Sequence, residues 1–227
     1  INWLRVMGQV SYYVWLTKQF TSPINVAIPS GNFGNAYSAW FGRSHGLKIN
    51  QIMCTTNVND VLKRFIDSGI LEPQTTKPSV APSMDIQIPS SLERLIYDFE
   101  SDASSFYQDL NENKKGTLSE GSREKLQHIF SSQTFDDKKI KEEIKTFNDL
   151  FSIVFDPHTV TSLRMAIDIN SSVPTVAIAT ASPEKFSNVI SPLIEDFPGS
   201  DIDEDEDFET LEPQKNLIIE SIKAKFS

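Results

Sequence analysis

Ile1, Trp3, Leu4, Val6, Met7, Val10, Tyr13 and Val14 recur at helical spacing from the first position of this 227-residue chain, which predicts an apolar helical face over residues 1–20. No capping residue or polar leader stands ahead of that face, so the chain is expected to be N-terminally truncated, a fragment that starts inside a domain. An apolar stretch predicts a strand at 24–28, followed by a helix at 34–45, a strand at 48–55 and a helix at 58–68. Pro73, Pro78, Pro82 and Pro89 make 69–89 a long irregular segment of a kind that is often functional. Helices are expected at 91–110, 119–130 and 137–147, then a strand at 151–155. A helix at 157–169 has Asp156 as its cap and Pro157 at its first position. A strand at 175–179 and helices at 183–193 and 213–225 complete the pattern. Strands alternating with helices in this way indicate an α/β fold with a parallel twisted sheet flanked by helices.

The composition, 39% hydrophobic and 23% charged, is that of an ordinary globular protein, and 227 residues suffice for a full core. A net charge of −10 with no offsetting basic block argues against nucleic acid or an anionic membrane as partner. Lys138, Lys139, Lys141 and Lys145 interleave with Glu142 and Glu143 as a solvated helix face, and the acidic run 201–207 reads as a solvated loop. Cys54, the single cysteine, stands among Ile52, Met53 and Thr55 and reads as a small core residue rather than a nucleophile. No stretch approaches the roughly 18 apolar residues of a membrane span, and a reducing cytoplasm fits best.

Chemistry concentrates in Pro29, Ser30, Gly31, Asn32, Phe33, Gly34 and Asn35, directly between the strand at 24–28 and the next helix. Two glycines around a short polar turn let backbone N–H groups converge, and the helix adds its positive end. Such a turn holds a phosphate dianion or serves packing alone; a phosphorylated cofactor or substrate is the first expectation.

With these elements laid out, the chain resembles the threonine synthase family of pyridoxal-phosphate enzymes, of the tryptophan-synthase β-like fold (fold type II). The resemblance rests on INWLRVMGQVSYY at 1–13, PSGNFGN at 29–35, TTNVNDVLKRFIDSG at 55–69, APSMDIQIPSSLERL at 81–95, DPHT at 156–159 and ATASPEKF at 179–186. It covers most of the chain in the family's order, loosely so over 100–150 and the tail. It implies that residues 1–227 are the C-terminal part of the catalytic region, with a helical insertion at about 91–148. The family's activity converts O-phospho-L-homoserine and water to L-threonine and phosphate, the last step of threonine biosynthesis, with pyridoxal 5'-phosphate as cofactor. The alternatives are a threonine-synthase-like phospho-lyase that eliminates phosphate without adding water, or an inactive phosphate-binding fragment.

By resemblance Gly31, Asn32, Phe33, Gly34 and Asn35 bind the cofactor phosphate, and Thr180 faces the pyridine nitrogen. A neutral hydroxyl there tempers the electron sink more than a carboxylate would. Thr180 also reads as a strand-end residue that caps the next helix. Asn2 and Arg5 match an N-x-x-R element that binds the phosphorylated substrate, a task suited to the two parallel bonds of a guanidinium; an arginine there also reads as a surface residue. Asn57, Asn59 and Asp60 shape the site or, for Asp60, start a helix, and His158 lies near the cofactor or in the first turn of a capped helix. Ser182 departs from the family pattern, which has His, and this counts against carrying over a proton-transfer or cofactor-contact role to that position. The lysine that carries the cofactor as a Schiff base lies upstream in the family and is followed by Asp. No lysine here is followed by Asp, and Lys185 matches a second, non-Schiff-base lysine, so no catalytic residue is assigned within this chain. The sequence gives no oligomeric state and no metal site.

Overall fold

The computed structural model describes residues 3–195 and 197. In chain order the elements are α1 (Trp3–Thr17), β1 (Ile24–Pro29), α2 (Gly34–Ser44), β2 (Ile49–Thr56), α3 (Val61–Ser68), β3 (Ile70–Leu71), α4 (Leu92–Glu100), α5 (Ser104–Asn113) and β4 (Gly116–Thr117). They continue with α6 (Glu120–Ile129), β5 (Phe130–Thr134), α7 (Asp137–Phe151), α8 (Thr159–Asp168), β6 (Thr175–Ala177) and α9 (Ser187–Ile190). Single 3-10 turns occupy Pro82–Met84 and Pro183–Phe186.

Four strands form one sheet in the order β5-β2-β1-β6, and every pairing is parallel. Parallel strands need crossovers, which the helices supply, so both faces are covered and β1 is buried at all six positions. Ile24, Val26 and Ile28 of β1 and Ile52 and Cys54 of β2 turn into one apolar layer with α1, α2, α3 and α6. Ala27 and Met53, on the opposite pleat, join Ile140, Ile144, Phe147, Val160 and Met165 of α7 and α8. Because β1 is central and all strands run the same way, the turns after β1, β2 and β6 open at one edge of the sheet, where α/β folds place their ligands. Among the described residues no helix is long and apolar enough to cross a membrane.

The α/β reading holds, and several boundaries differ. No strand forms at 151–155: α7 runs on to Phe151, and Ser152 in the left-handed region ends it. Phe147 stacks on Phe151, while Val154 and Phe155 pack as side chains against the layer of α7 and α8. The edge of β2 is instead taken by β5, whose sequence Phe-Ser-Ser-Gln-Thr lacks an apolar alternation and falls, apart from Phe130, between the helices expected at 119–130 and 137–147. The expected helix at 91–110 divides into α4 and α5, since Ser101 adopts φ 60° and closes α4. The helix at 157–169 shortens to α8, and that at 183–193 becomes a 3-10 turn plus the single turn α9. The acidic run at 201–207 and the helix at 213–225 lie outside the described residues.

Candidate functional site

The turn after β1 is held open by its own backbone. Ser30 N–H donates to the Thr55 carbonyl at 2.8 Å, continuing the ladder to β2, and Ser30 Oγ donates to the Ile28 carbonyl at 3.0 Å. Phe33 then adopts φ 65°, ψ 6°, a left-handed conformation that is strained for a bulky side chain. Burial holds it there: the ring is 1% exposed and meets Phe130 at the start of β5 with centroids 5.5 Å apart. Phe33 also occupies the cap position of α2, where it has no side-chain acceptor to offer. No acceptor among the described residues meets the backbone N–H groups of Gly31, Asn32, Phe33 or Gly34. Four open donors at the positive end of a helix are a donor set that could hold an anion.

These residues line a cavity of about 210 Å³ together with Pro29, Ser30, Asn35, Arg5 and Gln9. Arg5 and Gln9 lie one turn apart on α1 and so share a face. Gln9 Oε1 lies 3.3 Å from Ser38 Oγ, whose single proton has its shortest contact with the Gly34 carbonyl at 2.9 Å. Tyr13, a turn further on, is fully buried and donates its hydroxyl to Asn35 Oδ1, which ties α1 to α2; burial pushes its phenol well above the ordinary value.

A second polar cluster sits at the same sheet edge. Asp156 Oδ1 accepts from the backbone N–H groups of His158 at 2.9 Å and Thr159 at 3.3 Å, and lies 2.9 Å from His158 Nδ1. Its Oδ2 accepts the Thr159 hydroxyl, and Thr159 Oγ1 accepts the Thr180 N–H at 3.1 Å. His158 Nε2 accepts the Ser83 N–H at 3.1 Å, so the ring proton sits on Nδ1 and faces Asp156. Burial pushes the Asp156 carboxyl up, but the combined hydrogen bonds from His158 and Thr159 outweigh it and hold the group below its usual value.

Ser83 joins the two clusters. A Cβ added to Gly31 would lie 2.3 Å from the Ser83 carbonyl oxygen and 3.2 Å from Met84 Cα, so backbone packs directly on the glycine. One hydrogen-bonded path therefore runs from Thr180 through Thr159, Asp156 and His158 to Ser83, which abuts the loop.

Of the residues singled out from sequence, Arg5, Gly31, Asn32, Phe33, Gly34 and Asn35 share the cavity. Asn2 lies outside the described residues. Thr180 follows β6, is exposed, and is not among the cavity's lining residues; its strand pairs with β1, and the Ile178 N–H donates to the Ala27 carbonyl at 2.9 Å. Asn57 and Asn59 are buried in a network with Asp85, Ser79 and the Lys77 backbone that pins the proline-rich segment to the end of β2. Asp60 pairs with Arg64 at 2.9 Å. Lys185 and Ser182 are exposed in the turn after β6. Cys54 is fully buried and its thiol is pushed up to about 12 by that burial, as expected of a core residue. Gln9 and Asp156 gained no site role from sequence. The i, i+4 spacing from Arg5 was available for Gln9, and Asp156 was read only as a helix cap.

Comparison with known proteins places this geometry in context. No family model matches the chain. Threonine synthase from Pseudomonas aeruginosa is 32% identical over 199 residues, covering 84% of this chain and 42% of that protein. The structure of PLP-bound threonine synthase from Brucella melitensis superposes with a TM-score of 0.81 at 30% identity, covering 85% of this chain and 43% of that one. The structure of yeast threonine synthase superposes with a TM-score of 0.83 at 24% identity, the match covering 100% of this chain and 53% of that one. The chain thus spans about half the length of the relatives it matches.

Proposed function

We propose that this chain is part of a threonine synthase, which forms L-threonine and phosphate from O-phospho-L-homoserine and water with pyridoxal 5'-phosphate as cofactor. The observation that carries the reading is the turn Gly31–Gly34, whose backbone donors have no acceptor among the described residues and stand at the start of α2 beside Arg5. Similarity to a PLP-bound threonine synthase over 85% of the chain supports the cofactor phosphate as the occupant of that site.

The residues present fit the cofactor. Gly31, Asn32, Phe33 and Gly34 would hold its phosphate through N–H groups, Asn35 would shape the wall that Tyr13 supports, and Thr180 would meet the pyridine nitrogen. When bound, pyridoxal phosphate supplies the electron sink that allows loss of a proton and of phosphate from the substrate. Arg5 would bind the substrate phosphate, its guanidinium offering two parallel bonds to the dianion, and Asn2 of the same N-x-x-R sequence motif would share that task. The leaving phosphate then departs from a site already organised for a dianion, which lowers the cost of the charge that develops as the C–O bond breaks. The lysine that bears the cofactor is, on this reading, supplied by residues outside these 227.

The test is an absorbance titration of the complete protein with pyridoxal phosphate, followed by product analysis with O-phospho-L-homoserine. A visible Schiff-base band with threonine formed in step with phosphate is the expected result. Phosphate release without threonine would mean elimination alone, and phosphate binding without a band would reduce the site to an anion-binding module.

A further inference from the structure

Ser91 precedes α4, the position at which a serine hydroxyl ordinarily caps the helix, yet its hydroxyl makes no cap bond. The residue is 0% exposed and its Oγ has no hydrogen-bond partner. Its backbone is nevertheless committed to the phosphate loop. Ser91 N–H donates to the Asn32 carbonyl at 3.1 Å, and the neighbouring Ser90 Oγ donates to Asn32 Oδ1 at 3.3 Å. A Cβ added to Gly34 would sit 3.6 Å from Ser91 Oγ and 3.7 Å from Gln9 Oε1, the latter belonging to a side chain that lines the cavity. The absence of a side chain at Gly34 therefore leaves the hydroxyl facing the first residue of α2, whose N–H is one of the four open donors, from just behind the residues that line the cavity. A buried hydroxyl with no partner costs folding free energy that an alanine would not.

We propose that Ser91 is a further ligand of the phosphate group bound over Gly31–Gly34, its hydroxyl donating to a phosphate oxygen. The inference rests on the phosphate role of that loop and adds a side-chain donor to a site otherwise built from backbone. The chemistry recognised is a phosphate monoester dianion, which either the cofactor or the substrate supplies. The Ser91–Asn32 backbone bond fixes the main chain from which the hydroxyl projects, so a donor there is placed by the fold, as a long surface cation is not.

The test uses Ser91→Ala in the complete protein, with Ser91→Gly as a second variant lacking the hydroxyl. Three quantities are measured: the thermal midpoint without ligand, the affinities for pyridoxal phosphate and for pyridoxal, and KM for O-phospho-L-homoserine. Removing an unpartnered hydroxyl should leave the ligand-free midpoint of Ser91→Ala unchanged or raise it. Affinity for pyridoxal phosphate should fall about tenfold to a hundredfold, the range for a hydrogen bond to a charged group, with pyridoxal unaffected. A raised KM with cofactor affinity intact would support the same role toward the substrate phosphate. An unchanged preference for pyridoxal phosphate over pyridoxal together with an unchanged KM overturns the Ser91 assignment alone. Equal losses for both cofactor forms with a lowered ligand-free midpoint would make Ser91 a packing residue and overturn it too. A wild-type protein that binds the two forms equally and ignores inorganic phosphate overturns the loop's phosphate role, and the Ser91 assignment falls with it.

Discussion

The turn after β1 and the turn before α8 stand at one edge of the same sheet, both polar, and they are opposites in how their polar groups are used. In Gly31–Gly34 the backbone donors find no acceptor among the described residues. In Asp156–Thr159 both carboxylate oxygens, both imidazole nitrogens and the threonine hydroxyl are partnered, and Asp156 and His158 are 1% and 3% exposed. A buried polar group is stable only when its hydrogen bonds are made, so the satisfied turn holds the fold, whereas the open donors at Gly31, Asn32 and Gly34 stand at partly or fully exposed residues and are available to solvent or to an anion. His158, which in sequence reads equally as a cofactor neighbour or a helix-start residue, belongs by its contacts to the first kind.

Substitutions can break that division or sharpen it. The largest effect is expected at the contact between the two turns: Gly31→Val puts a Cβ against the Ser83 backbone oxygen. It should destabilise by about 3 kcal/mol or more and abolish cofactor binding, as read by chemical denaturation and by loss of the visible band. Asp156→Ala removes the shared acceptor of His158 and Thr159 and should cost about 3 kcal/mol of stability. Arg5→Ala should do the reverse. As an exposed residue its loss should leave stability within about 0.5 kcal/mol while raising KM for the phosphorylated substrate about tenfold or more. If Arg5→Ala unfolded the protein and Asp156→Ala left it stable, the division drawn above would be wrong.

Tyr13→Phe leaves Asn35 Oδ1 without its buried donor and should cost about 1 kcal/mol, seen in the denaturation midpoint. The smallest effect is a pH slope. The Asp156 carboxyl is lower in the folded protein than in the unfolded chain, so its contribution is fully present above the ordinary carboxylate value. It is lost as pH falls through the depressed folded value. Stability of the wild type should therefore decline more steeply on acidification than that of Asp156→Asn, and equal slopes would remove Asp156 from the account.

Much of this was legible in the chain. Ile24–Ile28 had to be a buried strand because it is apolar at every position but Asn25, and Gly-Asn-Phe-Gly had to be a turn because it lies between that strand and a helical pattern. Asp156 was visible as a cap because Asp-Pro opens a helix, but its bonds to the His158 ring and through Thr159 to Thr180 cross between elements and leave no periodic trace. β5 was invisible for a related reason. Ser131, Ser132 and Gln133 are half-buried polar residues whose strand conformation is imposed by pairing with β2, not by their own pattern.

Local chemistry thus determined the α/β class, the elements around the loop and the residues of the loop itself, since hydrophobic period and glycine turns act over a few residues. Tertiary structure alone decided which polar groups were left without partners. Whether Ser91 caps its helix, whether His158 is free or bound, and whether Gly31 touches open space or the Ser83 backbone depend on residues 50 to 75 positions away, or on a helix that turns elsewhere. Satisfaction of a buried hydrogen bond is a property of the packed neighbourhood, and no window of sequence contains it.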